Sequence, residues 1–131
     1  MYRDNETTTL CPQDGNSLAV LFNLTESAAQ AAAVSDGLAG NWDAYGAIST
    51  ESPDTVSPFI GGFEVRPLSY GVRYFLVLRA EDYGTQVQAH FVAGKDERAL
   101  DLLRREWGYM LYTPLSVQST FLEGYTANGS L

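Results

Sequence analysis

KDERALDLLRREWGYML, residues 95–111, carries the clearest structural signal in the chain. Ala99, Leu102, Leu103, Trp107, Met110 and Leu111 recur at intervals of mostly three and four, while Asp96, Glu97, Asp101, Arg104 and Arg105 fall largely on the other side. Residues three and four apart share one face of a 3.6-residue helix, so the spacing predicts an amphipathic helix whose apolar stripe needs a cover. Asp101 and Arg105, four apart, add an ion pair worth about 0.3 kcal/mol, which supports the helix without causing it.

Working outward, the rest of the chain also reads as helical. Gln13-Asp14-Gly15-Asn16 supplies turn and cap residues ahead of a short helix from Ser17 to Leu24. Thr25 caps the next, Glu26 to Ala39, where Ala29, Ala32, Ala33 and Val34 form a narrow stripe suited to close packing and Gly40 stands at the expected C-terminal position. Residues 41–56, with Gly46, Pro53 and many Ser and Thr, form a long loop. Ser57-Pro58 then opens another helix, and Phe59, Ile60 and Phe63 begin its apolar face. The expected fold class is all-α.

One segment disagrees with this pattern. Arg66-Pro67 stops the helix, and Gly71 to Arg79 is strand-like and apolar on both sides, with no second strand to pair with. Deleting residues 66–87 joins Val65 to Gln88, and Ile60, Phe63, Ala89 and Val92 then form one helical stripe that ends at Gly94. These 22 residues correspond to 66 coding nucleotides (three per residue), in frame, so 66–87 reads as a translated, unspliced intron set into the domain. The rival reading is a genuine loop insertion.

Composition narrows the function classes. At 131 residues the chain is one domain at most. A net charge of −8, spread along the sequence, argues against nucleic acid and against an anionic membrane surface as partner. The single Cys11 permits no disulfide within the chain and, with His90 the only histidine, no clustered metal site. No cofactor is implied. The polar start lacks a signal peptide, and no apolar run reaches membrane-spanning length. Three glycosylation sequons occur, at Asn5, Asn23 and Asn128; without an export signal they read as unmodified asparagines.

QDGNSLAV, the stretch Trp42-Asp43-Ala44-Tyr45-Gly46, SPFIGGFE, RREWGYML and STFLEG follow one another in an order and spacing that resembles the catalytic domain of α-L-rhamnosidases of fungal type. The resemblance covers nearly all of the chain except 66–87. It implies an (α/α)6 six-hairpin barrel, of which residues 1–131 are a fragment: about two helical hairpins and their loops, lacking the barrel segments of the parent protein on either side. It also implies a partner, a rhamnose-containing carbohydrate or glycoside. Whether that parent is exported stays open.

By the same resemblance Glu123, in Thr120-Phe121-Leu122-Glu123, is the general base that activates water for inverting hydrolysis. Inversion takes two carboxyl groups, and no stretch of this chain matches the loop that carries the general acid. Glu51 and Asp54 read as solvated loop acids. Phe121 and Tyr125 flank the base and are expected to shape the sugar site, with Trp42 and Tyr45 from the long loop as further candidate contacts. Trp107 lies on the apolar stripe and reads as core, Tyr109 is open, and His90 reads as structural. The competing view is a non-catalytic truncated gene product or a carbohydrate-binding remnant.

Overall fold

The computed structural model describes residues 1–61, 88–115 and 121–131. Of these residues 46% are helical, and the only sheet among them has two strands, so the chain is predominantly α. The elements run α1 (Gln13–Leu21), α2 (Ala28–Ala39), β1 (Thr55–Val56), α3 (Pro58–Gly61), α4 (Ala89–Val92), α5 (Asp96–Tyr112) and β2 (Tyr125–Thr126). Both the strand-like run and the proposed insert 66–87 lie outside the described residues.

Helix α1 begins four residues earlier than its turn-like start suggests. Pro12 stands at its N-cap with φ −57°, and Glu51, far along the chain, accepts the Gln13 backbone N–H through Oε1 at 3.0 Å. Asn16 sits inside the helix because its amide donates to the carbonyls of Tyr2 and Pro12, at 2.9 and 2.8 Å. The helix also ends early, at Leu21, with Asn23 in the left-handed region at φ 57°. For α2 the cap is Ser27 rather than Thr25, its hydroxyl accepting from the Gln30 N–H at 3.2 Å. Gly40 does follow that helix, in a right-handed conformation.

Ser57 accepts from the Ile60 N–H at 3.4 Å, as a cap ahead of Pro58 should. Gly94 closes α4 with φ 71°, donating to the Phe91 carbonyl while Lys95 reaches back to the His90 carbonyl. Only a residue without Cβ adopts that φ at little cost.

Three clusters of buried apolar residues form among the described residues, and two of them lie together under the loop 41–56 as a second core. Val20 of α1, Ala31, Val34 and Leu38 of α2 and Ala89 of α4 form the first, in which alanines bring the helix backbones close together. Along its edge runs a polar chain: Arg98 donates to Asp36 and to the Ser35 hydroxyl, each at 2.8 Å, and Ser35 Oγ lies 2.6 Å from His90 Nδ1. Ser35 and His90 are fully buried, so His90 is a structural histidine held in place by its own hydrogen bond. The second core lies under the loop 41–56, where Ala47 meets Ala99 and Leu102, and Val56 meets Met110 and Tyr125.

Helix α5 matches its expected span to within one residue at each end, but its buried stripe is Ala99, Leu102, Glu106 and Met110. Trp107 packs against the second core, half-buried. Leu111, expected on the apolar side, is 48% exposed. Its place is taken by Glu106, a carboxylate with no solvent exposure.

Candidate functional site

The loop 41–56 is more ordered than its composition implies. Asp43 accepts the backbone N–H groups of Tyr45 and Gly46 through Oδ1, at 2.7 and 3.0 Å, which folds residues 43–46 into a tight turn and brings Trp42 opposite Ala47. Ile48 bridges to Val56, and β1 pairs antiparallel with β2 in the register Thr55↔Thr126 and Val56↔Tyr125. Arg105 of α5 donates to the Asp43 carbonyl, binds Asp101 at 3.0 Å and lies 5.8 Å from the centre of the Trp42 ring. The pair Asp101–Arg105 is therefore one part of a larger brace on the turn.

Glu106 anchors this layer from below. Its Oε1 accepts the Ala47 N–H at 3.0 Å. A Cβ at Gly46 would come within 2.4 Å of the Glu106 side chain, and one at Gly61 within 2.2 Å, so the carboxylate fills the space both glycines leave empty. Nothing in a hydropathy pattern marks this residue. Only the stripe 99, 102, 106 and 110, read by spacing alone, places it inside.

Three tyrosines complete the platform. Tyr109 stacks at an angle on Tyr45 and Tyr125, with ring centres 5.0 and 4.9 Å apart, and donates its hydroxyl to the Gly129 carbonyl. Tyr125 donates to the Tyr45 carbonyl at 2.7 Å. Burial, reinforced by the nearby negative charge of Glu106, pushes the Tyr125 phenol well above its usual range.

Glu123 lies at a bend two residues before the start of β2. On one side the Leu122 N–H meets the Met110 sulfur at 3.2 Å, and on the other Tyr125 is fixed in the strand pair and the second core. Between these two anchors the Glu123 side chain is exposed, as is Phe121 at 61%. Phe121 and Glu123 therefore face outward, while Tyr125 is buried and bonded to the half-buried Tyr45. Tyr125, expected to flank the base at the surface, instead faces the interior: it is 4% exposed and its hydroxyl is engaged.

Trp42 faces a different space. It lines an open groove of about 460 Å³ with Asn41, Ile48, Ser49 and Thr50, and its ring meets His90 edge-on at 5.1 Å. Neither Glu123 nor Phe121 is among the residues lining that groove. Of the two loop acids, Glu51 has a structural task, binding Gln13 through one oxygen and Ser49 and Thr50 through the other. Asp54 is exposed, and its carbonyl accepts from the Ala127 N–H. Among the described residues no group of three or more His, Cys, Asp and Glu side chains is placed to hold a metal ion, and no helix is long and apolar enough to cross a membrane.

No known family model matches the chain, and no curated protein matches it.

Proposed function

We propose that the chain is the later part of a six-hairpin glycoside hydrolase that releases terminal α-L-rhamnose with inversion, and that Glu123 is its general base. The observation that carries this reading is the setting of Glu123: a solvent-facing carboxylate on a backbone clamped at Leu122 and Tyr125, with an exposed aromatic ring two residues away. A fixed carboxylate beside an apolar ring face is what a water-activating base for a sugar needs. In the reaction Glu123 takes a proton from water as the oxygen bonds to the anomeric carbon. The bond to the aglycone breaks on the opposite face, and a second carboxylic acid protonates the departing oxygen. The two carboxyl groups stand roughly 6.5 to 9.5 Å apart in such enzymes.

Glu106 does not fill the second role, because it is sealed from solvent and bound to the Ala47 N–H. The acid belongs to another segment of the parent. Exposed apolar side chains at and just beyond the end of α5 support that view: Tyr112 and Leu115 are 84 and 46% exposed, and neighbouring helices of a complete barrel would cover such residues.

Release of p-nitrophenol from its α-L-rhamnoside tests the reading, with these 131 residues assayed beside a chain extended at both ends. Turnover is expected only from the extended chain. There, Glu123→Gln should lower kcat by about 10³-fold, and azide should restore turnover as the inverted glycosyl azide. Turnover by the short chain would remove the missing acid from the scheme, and an unimpaired Glu123→Gln would remove the base. The groove at Trp42 favours one rival, a non-catalytic remnant that binds sugar; that rival is upheld by rhamnoside binding without turnover in both chains.

A further inference from the structure

The five asparagines of the chain separate by exposure. Asn16 is fully buried and bonded to two carbonyls. Asn41 is half-buried in the loop, its carbonyl accepting from the Ile48 N–H. Asn5, Asn23 and Asn128 are exposed, and these are the three that open an Asn-X-Ser/Thr sequence: Asn5-Glu6-Thr7, Asn23-Leu24-Thr25 and Asn128-Gly129-Ser130.

Their local geometry sorts the two ends of the amide. Asn5 Oδ1 accepts from the Thr7 N–H at 3.0 Å, the Thr7 hydroxyl at 2.9 Å and the Thr8 N–H at 3.1 Å. Asn128 Oδ1 accepts from the Ser130 N–H at 3.1 Å and the Thr126 hydroxyl at 2.6 Å. With the oxygen tied into the turn, the nitrogen is the end presented to solvent. Asn5 Nδ2 gives one hydrogen to Asp4 at 2.9 Å and keeps the other. Asn23 sits at the left-handed turn after α1, between Phe22 and Leu24, whose side chains are 65 and 69% exposed.

We propose that Asn5, Asn23 and Asn128 are acceptor sites for N-linked oligosaccharide. The donor is an oligosaccharide carried on a polyprenyl diphosphate. Each asparagine Nδ2 forms a bond to the anomeric carbon of the sugar, the bond from that carbon to the diphosphate oxygen breaks, and the amide proton is released as the lipid diphosphate departs. One Nδ2 hydrogen remains, so Asn5 keeps its bond to Asp4. A glycan on Asn23 would lie over Phe22 and Leu24 and shield an apolar pair that the described residues leave bare. This inference stands apart from the rhamnosidase reading, since it uses neither Glu123 nor the barrel.

To test it, the full chain is given a cleavable secretory leader and made in a eukaryotic cell. Peptides from cells and medium together are then treated with peptide:N-glycosidase in ¹⁸O-water. Each of the three asparagines should be read as ¹⁸O-labelled aspartate, and Thr7→Ala, Thr25→Ala or Ser130→Ala should return unmodified asparagine at its own site alone. The readout uses digested peptides, so a variant that fails to fold still reports. A site left as unmodified asparagine in the leader-bearing chain is struck out; three such sites overturn the proposal, as does labelling that survives the hydroxyl substitutions.

Discussion

The core of α1, α2 and α4 and the platform beneath loop 41–56 solve the same problem with different chemistry. In the first, small apolar side chains let helix backbones approach, and the polar groups, Ser35, His90 and Arg98, lie along one edge. In the second, a buried carboxylate stands at the centre of the packing, with the Ala47 N–H bonded to it, Gly46 and Gly61 close against it and Tyr125 near enough to feel its charge. Helix packing tolerates local adjustment, whereas a buried charge is costly wherever one of its partners is lost. The platform, which carries Glu123, should therefore be the more brittle of the two regions.

Replacing Glu106 gives the largest effect expected. Glu106→Ala strands the Ala47 N–H and opens a cavity against Gly46 and Gly61, a combined loss of about 3 kcal/mol. Glu106→Gln keeps an acceptor for Ala47 and nearly the same volume, and should lose about 1 kcal/mol. Urea unfolding of both variants beside the parent chain checks this through the shift in midpoint. Equal losses would show that neither the filled volume nor the acceptor for Ala47, both of which glutamine keeps, is what the platform needs from this residue, and that the carboxylate itself is.

That centre was invisible to hydropathy for a physical reason. A stripe drawn from apolar residues includes Leu111 and skips Glu106, because the partner that makes burial of Glu106 tolerable is a backbone N–H 59 positions away. The start of α1 hid in the same manner, since Glu51, which accepts from Gln13, lies 38 residues downstream. Features fixed by neighbours in sequence were legible: the span of α5, the cap at Ser57, the closing glycine at 94 and the helical class. Of the candidate site, Glu123 came from the family resemblance and Phe121 from standing beside it, and neither told which way Tyr125 faces. That direction depends on the pairing of β2 with β1, a contact between residues roughly seventy positions apart.

The helical core should respond more mildly. Ser35→Ala removes the hydroxyl between Arg98 and His90 and leaves an imidazole nitrogen without that partner, at a cost of about 1.5 kcal/mol. Thermal unfolding should show the midpoint falling less than in Glu106→Ala. Should Ser35→Ala prove the more damaging, the contrast between the two regions is reversed and the polar edge becomes the critical element.

Tyr125 offers the smallest effect at neutral pH and the most specific one above it. Tyr125→Phe deletes the bond to the Tyr45 carbonyl and should cost about 1 kcal/mol at pH 7. The phenol is held above its ordinary value of 10.0, first by burial and then by the charge of Glu106. A group whose pKa is raised on folding contributes its full share below the unfolded value, so nothing is lost up to about pH 10. As pH rises further the unfolded chain releases the Tyr125 proton first, and the folded state loses ground. The phenylalanine variant has no such proton, so the gap between it and the parent should narrow from pH 10 upward in urea titrations. A gap that stays constant would mean that Tyr125 ionises as freely in the platform as in the unfolded chain, and that the charge of Glu106 is not felt across the ring.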